Sequence, residues 1–187
     1  MAMDTRQALH PRHFSAMTTA ELRRELLVES LFTPNRVNLT YSHHDRVIIG
    51  GACPAGEELS LPSGEQMGVT SFLERREMGI INIGGPGYVN VAGEKYHLAF
   101  RDCLYLGRGS EAVSLASEER LDPARFYLVS VIAHQTLPTL KLTLADARKL
   151  ELGDPLKANV RTIYQLIHPA VMPSCQLVLG LTVLAPG

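Results

Sequence analysis

The sequence contains no tryptophan, only three cysteines and no surplus of either charge. Each shortage removes a class of protein. Cys53, Cys103 and Cys175 are odd in number and widely separated, without a CxxC pair, which excludes a disulfide framework and a zinc knuckle. In their apolar, strand-like surroundings they read as buried packing thiols. A formal net charge of −1 leaves no basic stripe for a phosphate backbone, so nucleic acid is not an expected partner. No apolar run approaches the roughly 20 residues that cross a bilayer. The start, MAMDTRQALHPRHF, lacks the apolar core of a secretory signal. The expectation is a cytoplasmic protein with no membrane partner.

Familiar site motifs are missing as well. Seven histidines are present, but no HxH, HxxxH or HExxH occurs among them. His43 and His44, adjacent on an expected strand, leave on opposite faces and cannot share an ion. Gly84-Gly-Pro-Gly87 lacks the GK[ST] of a phosphate loop and precedes a strand-like YVNV, so it reads as a turn. There is no GxSxG elbow, and Ser42-His43-His44-Asp45 holds triad residue types at positions that do not converge. No metal ligand set is expected in these residues.

What remains is a dense run of short strands. VNLTYS, RVIIGG, GVTSFLERRE, GIINIGG, YVNVAG, EKYHL, CLYLGRG, AVSLAS and FYLVSVIA follow one another between Gly- and Pro-rich turns. That pattern indicates an antiparallel sandwich or barrel. A short helix precedes them: Thr18-Thr-Ala-Glu21 is a capping-box pattern, with Leu22 and Leu26 on one face. A weaker helix signal opens at Thr143-Leu-Ala-Asp146. Composition changes near Lys141–Pro155, which divides the chain into residues 1–150 and 151–187. In the closing CQLVLGLTVLAPG, Leu177, Leu179, Leu181 and Val183 alternate with Gln176, Val178, Gly180 and Thr182, as on an amphipathic strand. The expectation is a strand whose sheet continues in sequence not present here.

Four consecutive charges, Glu74-Arg75-Arg76-Glu77, interrupt this apolar pattern. On a strand Glu74 and Arg76 point one way, Arg75 and Glu77 the other, so each face carries an opposite-charge couple. Two readings stand: a solvated edge with weak ion pairs, or an oligomer or inter-domain interface where arginine forks dock carboxylates.

The segment GEKYHLAFRDCLYLGRGSEAVSLAS, with its Gly107-x-Gly109 turn between strands, resembles the second conserved motif of the cupin barrels. The histidine that would follow the last glycine is replaced here by Ser110-Glu111-Ala112-Val113. Taken with MDTRQALHPRHF, YSHHDRVIIGGACP, GVTSFLERREMGIINIGGPG, FRDCLYLGRGSEAV, RTIYQLIHP and SCQLVLGLTVLAPG, the chain resembles one family from Met3 to Gly187. It is the 4-deoxy-L-threo-5-hexosulose-uronate ketol-isomerase family of pectin and uronate breakdown. The resemblance implies a mainly β fold of two cupin-type barrels or sandwiches with a short N-terminal helix. Residues 1–150 would form a metal-free first barrel, and residues 151–187 the linker and opening strands of a second.

The family's zinc would be held in that second barrel by ligands beyond Gly187, none of which maps onto a position here. The implied reaction converts a 4-deoxy-5-keto-hexuronate into a 3-deoxy-2,5-diketo hexonate by moving a proton between C2 and C1. This chain alone would then be inactive. The substrate carboxylate calls for an arginine; Arg161 is the expected residue, with Gln176 second, although relatives have two arginines where this chain has Val160-Arg161. Family members resemble ring-shaped, hexamer-like homo-oligomers, which implies an interface role for Glu74, Arg75, Arg76 and Glu77. Two alternatives stay open: a metal-free cupin-like binding or structural subunit, and the related 5-deoxy-glucuronate isomerase of inositol catabolism.

Overall fold

The computed structural model describes residues 3–186; Met1, Ala2 and Gly187, the outermost residues of the two expected units, lie outside that range. Strands dominate. In chain order they are β1 (Asp4–Arg6), β2 (Val37–Ser42), β3 (Val47–Ala52), β4 (Leu59–Ser60), β5 (Arg76–Asn82), β6 (Gly87–Val91) and β7 (Glu94–Leu98). Then come β8 (Cys103–Leu106), β9 (Val113–Ser117), β10 (Phe126–Ile132), β11 (Leu140–Leu142), β12 (Arg148–Leu152), β13 (Arg161–Ile167) and β14 (Leu179–Leu184). Before β2 lie a single helical turn, α1 (Pro11–Phe14), and the helix α2 (Thr19–Leu26).

The strands form three sheets stacked in layers. A seven-stranded sheet, in the order β1-β2-β3-β10-β5-β8-β11, faces a four-stranded sheet, β4-β9-β6-β7. Leu39, Ile48, Met78, Ile80, Leu104 and Leu128 from the first sheet meet Val89, Leu98, Val113 and Leu115 from the second in one core. The two sheets make an open sandwich, not a closed barrel. Behind the large sheet lies the third layer, β12-β13-β14. There Ile81, Cys103 and Tyr105 pack with Leu166, Ile167, Met172 and Leu177. The central sheet is therefore covered on both faces, and every residue of β5 is buried.

Most expected strands occur where the period-two pattern put them, and the helix begins as expected. Thr18 Oγ1 accepts from Glu21 N at 3.3 Å while Glu21 Oε2 accepts from Thr18 N at 2.7 Å, a complete capping box. Three expectations are corrected. GVTSFLER is not strand: Gly64 N bonds Thr70 O, and Arg76 N bonds Leu73 O, so the segment folds as successive turns before β5. The Thr143–Asp146 helix does not form. Asp146 Oδ2 accepts from Thr143 N at 2.7 Å, but the chain leaves this capped turn for β12 because Arg148–Leu152 pairs with β13. His43 and His44 sit in the β2–β3 turn instead of on a strand.

Sheet membership changes between Leu142, the end of β11, and Arg148, the start of β12. Gly79 explains how closely the layers approach. A Cβ there would lie 2.6 Å from Leu179 and 2.8 Å from Ile167 side-chain ends, so the glycine lets these side chains seat on β5 without shifting.

Candidate functional site

Alternation along β5 sends neighbouring charged residues into different layers. Arg76, Met78 and Ile80 face the sandwich interior; Glu77, Gly79 and Ile81 face the third layer. Glu77 has no solvent exposure. Its Oε1 accepts from the backbone N–H groups of Gln176 at 2.7 Å and Leu177 at 2.8 Å. Its Oε2 accepts from Cys175 N at 2.9 Å and from the Tyr105 hydroxyl at 2.6 Å. One side chain thus satisfies three successive amides of the segment leading into β14. Burial, then the bond to Glu77, raises the Tyr105 hydroxyl well above the ordinary tyrosine value.

Arg76 is equally internal. Its Nη2 donates to Ser130 O at 2.8 Å and Arg46 O at 2.7 Å, and its Nε to Ser130 Oγ at 3.1 Å. Burial lowers its guanidinium to about 10. Of the four charges expected at an oligomer or inter-domain interface on one strand, Arg76 and Glu77 lie inside the chain, which corrects the oligomer reading for these two. Glu77 joins β5 to residues 175–177 of the second expected unit. Arg76 and Glu77 are enclosed within the chain because the central sheet has no free face at β5. Only Glu74 and Arg75, in the preceding turn, reach solvent.

The expected substrate residues lie in the third layer. Register pairs Arg161 with Leu152 and Leu184, Ile163 with Leu150 and Thr182, and Gln165 with Arg148 and Gly180. Directly paired residues share a face, so Arg148, Arg161 and Gln165 line the face turned away from the central sheet. Arg161 Nη1 donates to Asn159 O at 3.2 Å, leaving most of its fork free. Gln176 carries the outward parity too, but it precedes β14 beyond the Ile167–Leu179 pair. Gln176 is eight residues from Leu184, the β14 partner of Arg161, about 26 Å at the rise of an extended strand, so the two do not converge. Sequence reasoning passed over Gln165, whose Oε1 is buried without a hydrogen-bond partner among the described residues. Its position two strand steps from Arg161 was a usable signal.

Other candidate groups are structural. Burial drives the Cys103 thiol up to about 12 and raises that of Cys53, so neither is an activated nucleophile. Cys175, expected to be buried, is only half-buried, its Sγ 3.4 Å from Gln135 O. His97 pairs with Glu118 at 2.7 Å, and His44 Nε2 accepts from Leu9 N. Among the described residues no group of three or more His, Cys, Asp or Glu side chains is placed to hold a metal ion. The zinc implied by resemblance does not fit these residues. No described helix is long and apolar enough to cross a membrane.

The chain is 49% identical over 185 residues to the 4-deoxy-L-threo-5-hexosulose-uronate ketol-isomerase of Shouchella clausii, covering 99% of this chain and 67% of that protein. It is 47% identical over 187 residues to the Burkholderia cenocepacia protein of the same name, with the same coverage of both chains. The chain therefore spans about two thirds of the length of these relatives. Among solved structures, an IolB-like protein of Salmonella typhimurium LT2 superposes with a TM-score of 0.54 at 15% identity, over 68% of this chain and 47% of that one, which supports the fold. The KduI/IolB family model matches residues 26–187, and the chain belongs to that family.

Proposed function

We propose that this chain is part of a ketol-isomerase that converts 4-deoxy-L-threo-5-hexosulose-uronate into its 2,5-diketo isomer in the cytoplasm. The observation that carries the reading is the 49% identity along 99% of the chain to an isomerase named for that substrate. In the reaction a proton leaves C2 and one is delivered to C1, while the hydroxyl proton of O2 passes to O1, turning the aldehyde into an alcohol and the C2 hydroxyl into a ketone. Arg161 contributes a guanidinium fork for the substrate carboxylate on the open face of the third layer. Gln165 lies on the same face with an unpaired acceptor that suits a substrate hydroxyl. Gln176 is too distant to join them.

No step is assigned to a metal, because the described residues do not form a ligand set. The proposal places zinc and the proton-transfer groups in the third of the relatives' length that this chain does not span. The 187-residue chain alone is then inactive. Glu74, in the turn before β5, remains as the charge for contacts in a hexamer-like ring of identical subunits.

The test is a chimera in which this chain replaces the matching two thirds of the Shouchella clausii relative. It should isomerise the 4-deoxy-5-keto-uronate, while residues 1–187 alone do not. A folded chimera of native size without turnover, or one that prefers 5-deoxy-glucuronate, overturns the reading. In the active chimera Arg161→Gln should raise KM about tenfold, the scale of one lost charge-assisted hydrogen bond. An unchanged KM removes Arg161 from substrate binding.

A further inference from the structure

Around the start of β5 and the β2–β3 turn the sandwich opens into a cavity of about 800 Å³, within the usual range for small-ligand pockets. Its polar lining includes Tyr41, His43, Gln66, Arg46, Arg75 and Arg76, and no carboxylate side chain. Three guanidiniums thus border one space. Arg76 is 5% exposed, and its bonds go to two carbonyls and a hydroxyl, never to an acid. Its Nη1 has no hydrogen-bond partner among the described residues. Arg46 makes no ion pair among them. Arg75 has only Glu74, at 3.8 Å, whose other oxygen already accepts from Thr70 N.

Clustered, partly desolvated cations without a counter-charge are costly, and the field of Arg46 adds to burial in weakening the Arg76 charge. Asp45 and Arg46 both adopt left-handed backbone angles, φ 54° and 51°, as the two central residues of the β2–β3 hairpin turn closed by Val47 N to His44 O. The Arg46 carbonyl is fixed there by Arg76. Tyr41 stands beneath the Arg76 guanidinium at 5.9 Å and meets His43 edge-on at 5.0 Å. Met67, Val69 and Ile132 supply apolar wall.

We propose that this mouth is a binding site for a small hydroxylated organic carboxylate of sugar-acid size, its carboxylate received by Arg46, Arg75 and Arg76. Planar guanidinium forks match a carboxylate. The aromatic and apolar walls suit a carbon skeleton in preference to a bare inorganic ion, and Gln66 and Tyr41 offer partners for hydroxyls. The site is separate from Arg161, which lies on the far face of the third layer, and it does not depend on the isomerase reading, since its readout is binding without turnover.

Calorimetric titration of the 187-residue chain tests it, with D-galacturonate, D-galactose and inorganic phosphate as probes. Galacturonate should bind at one site per chain, more weakly as salt rises, and galactose should not. Arg46→Gln and Arg75→Gln, both at the rim, should together weaken galacturonate at least tenfold while the circular dichroism stays unchanged. Arg161→Gln should leave the affinity as it was. Equal binding of galactose, tighter binding of phosphate, or loss of binding with Arg161→Gln alone overturns the proposal.

Discussion

The two faces of the central sheet are covered in different ways. Toward the sandwich, the cover is a four-stranded sheet from the same stretch of chain, and the packed core is broad and apolar. Toward the third layer the core is smaller, and a buried polar clasp at Glu77 supplements it. The sandwich side would keep its packing without any residue after Leu142. The other side depends on long-range bonds, with Glu77 reaching amides about a hundred positions away. A layer joined by few apolar contacts needs directional bonds to fix its position, and a carboxyl group meeting three consecutive N–H groups provides them.

The largest break in that comparison should come from Glu77→Ala. It leaves three amides and the Tyr105 hydroxyl without their acceptor, at about 1–3 kcal/mol for each group that water cannot reach. A loss of about 3–5 kcal/mol in urea unfolding is expected, with hydrogen exchange accelerated first in β13 and β14. Uniform acceleration through both cores would show that the layers unfold as one unit. Gly79→Ala should follow, at about 1–3 kcal/mol, since its methyl intrudes on Leu179 and Ile167. Pairing it with Leu179→Ala should recover more than about 0.5 kcal/mol in a double-mutant cycle. Strict additivity would mean that β5 adjusts instead of the third layer.

These residues also show what the sequence could convey. Strand after strand was legible because turns rich in glycine and proline bracket alternating side chains, and local chemistry alone decides those. The Thr18 cap was legible for the same reason. The roles of Arg76 and Glu77 were not. Alternation correctly sent them to opposite faces, but nothing local shows that both faces are buried or that the acceptor of Gln176 N lies 99 residues earlier. Arg161 and Gln165 were within reach of the same alternation rule. Separating Gln176 from Arg161 required the register of β13 on β14, which depends on tertiary pairing. The arginine-lined mouth was invisible because Arg46, Arg75 and Arg76 come from segments 30 residues apart in sequence.

Tyr105→Phe offers a finer probe of the clasp. It deletes one of four donors to Glu77 and keeps the ring in the apolar layer, so about 1 kcal/mol should be lost. Combined with Glu77→Ala, it should cost almost nothing more, because the hydroxyl has by then lost its partner. A full additional loss would assign Tyr105 a hydrogen bond elsewhere.

The smallest effect concerns two copies of one local motif. Thr18 with Glu21 begins a helix in the N-terminal region, while Thr143 with Asp146 forms the turn that joins the sandwich to the third layer. In both, bonds from the threonine N–H and hydroxyl hold the carboxyl below its ordinary value, 4.5 for Glu21 and 3.8 for Asp146. A lowered folded-state value means the unfolded chain binds the proton more readily, so each contribution is complete above the ordinary value and disappears as pH falls through the folded one. Both groups are exposed, so the effect should be local. Carboxyl titration by NMR should give midpoints below 4.5 and 3.8, with the Thr18 and Thr143 amides losing exchange protection over the same ranges. If Thr143 loses protection together with β13, the joining turn and the third layer open as one unit. If it loses protection alone, the Glu77 clasp holds that layer without help from its linker.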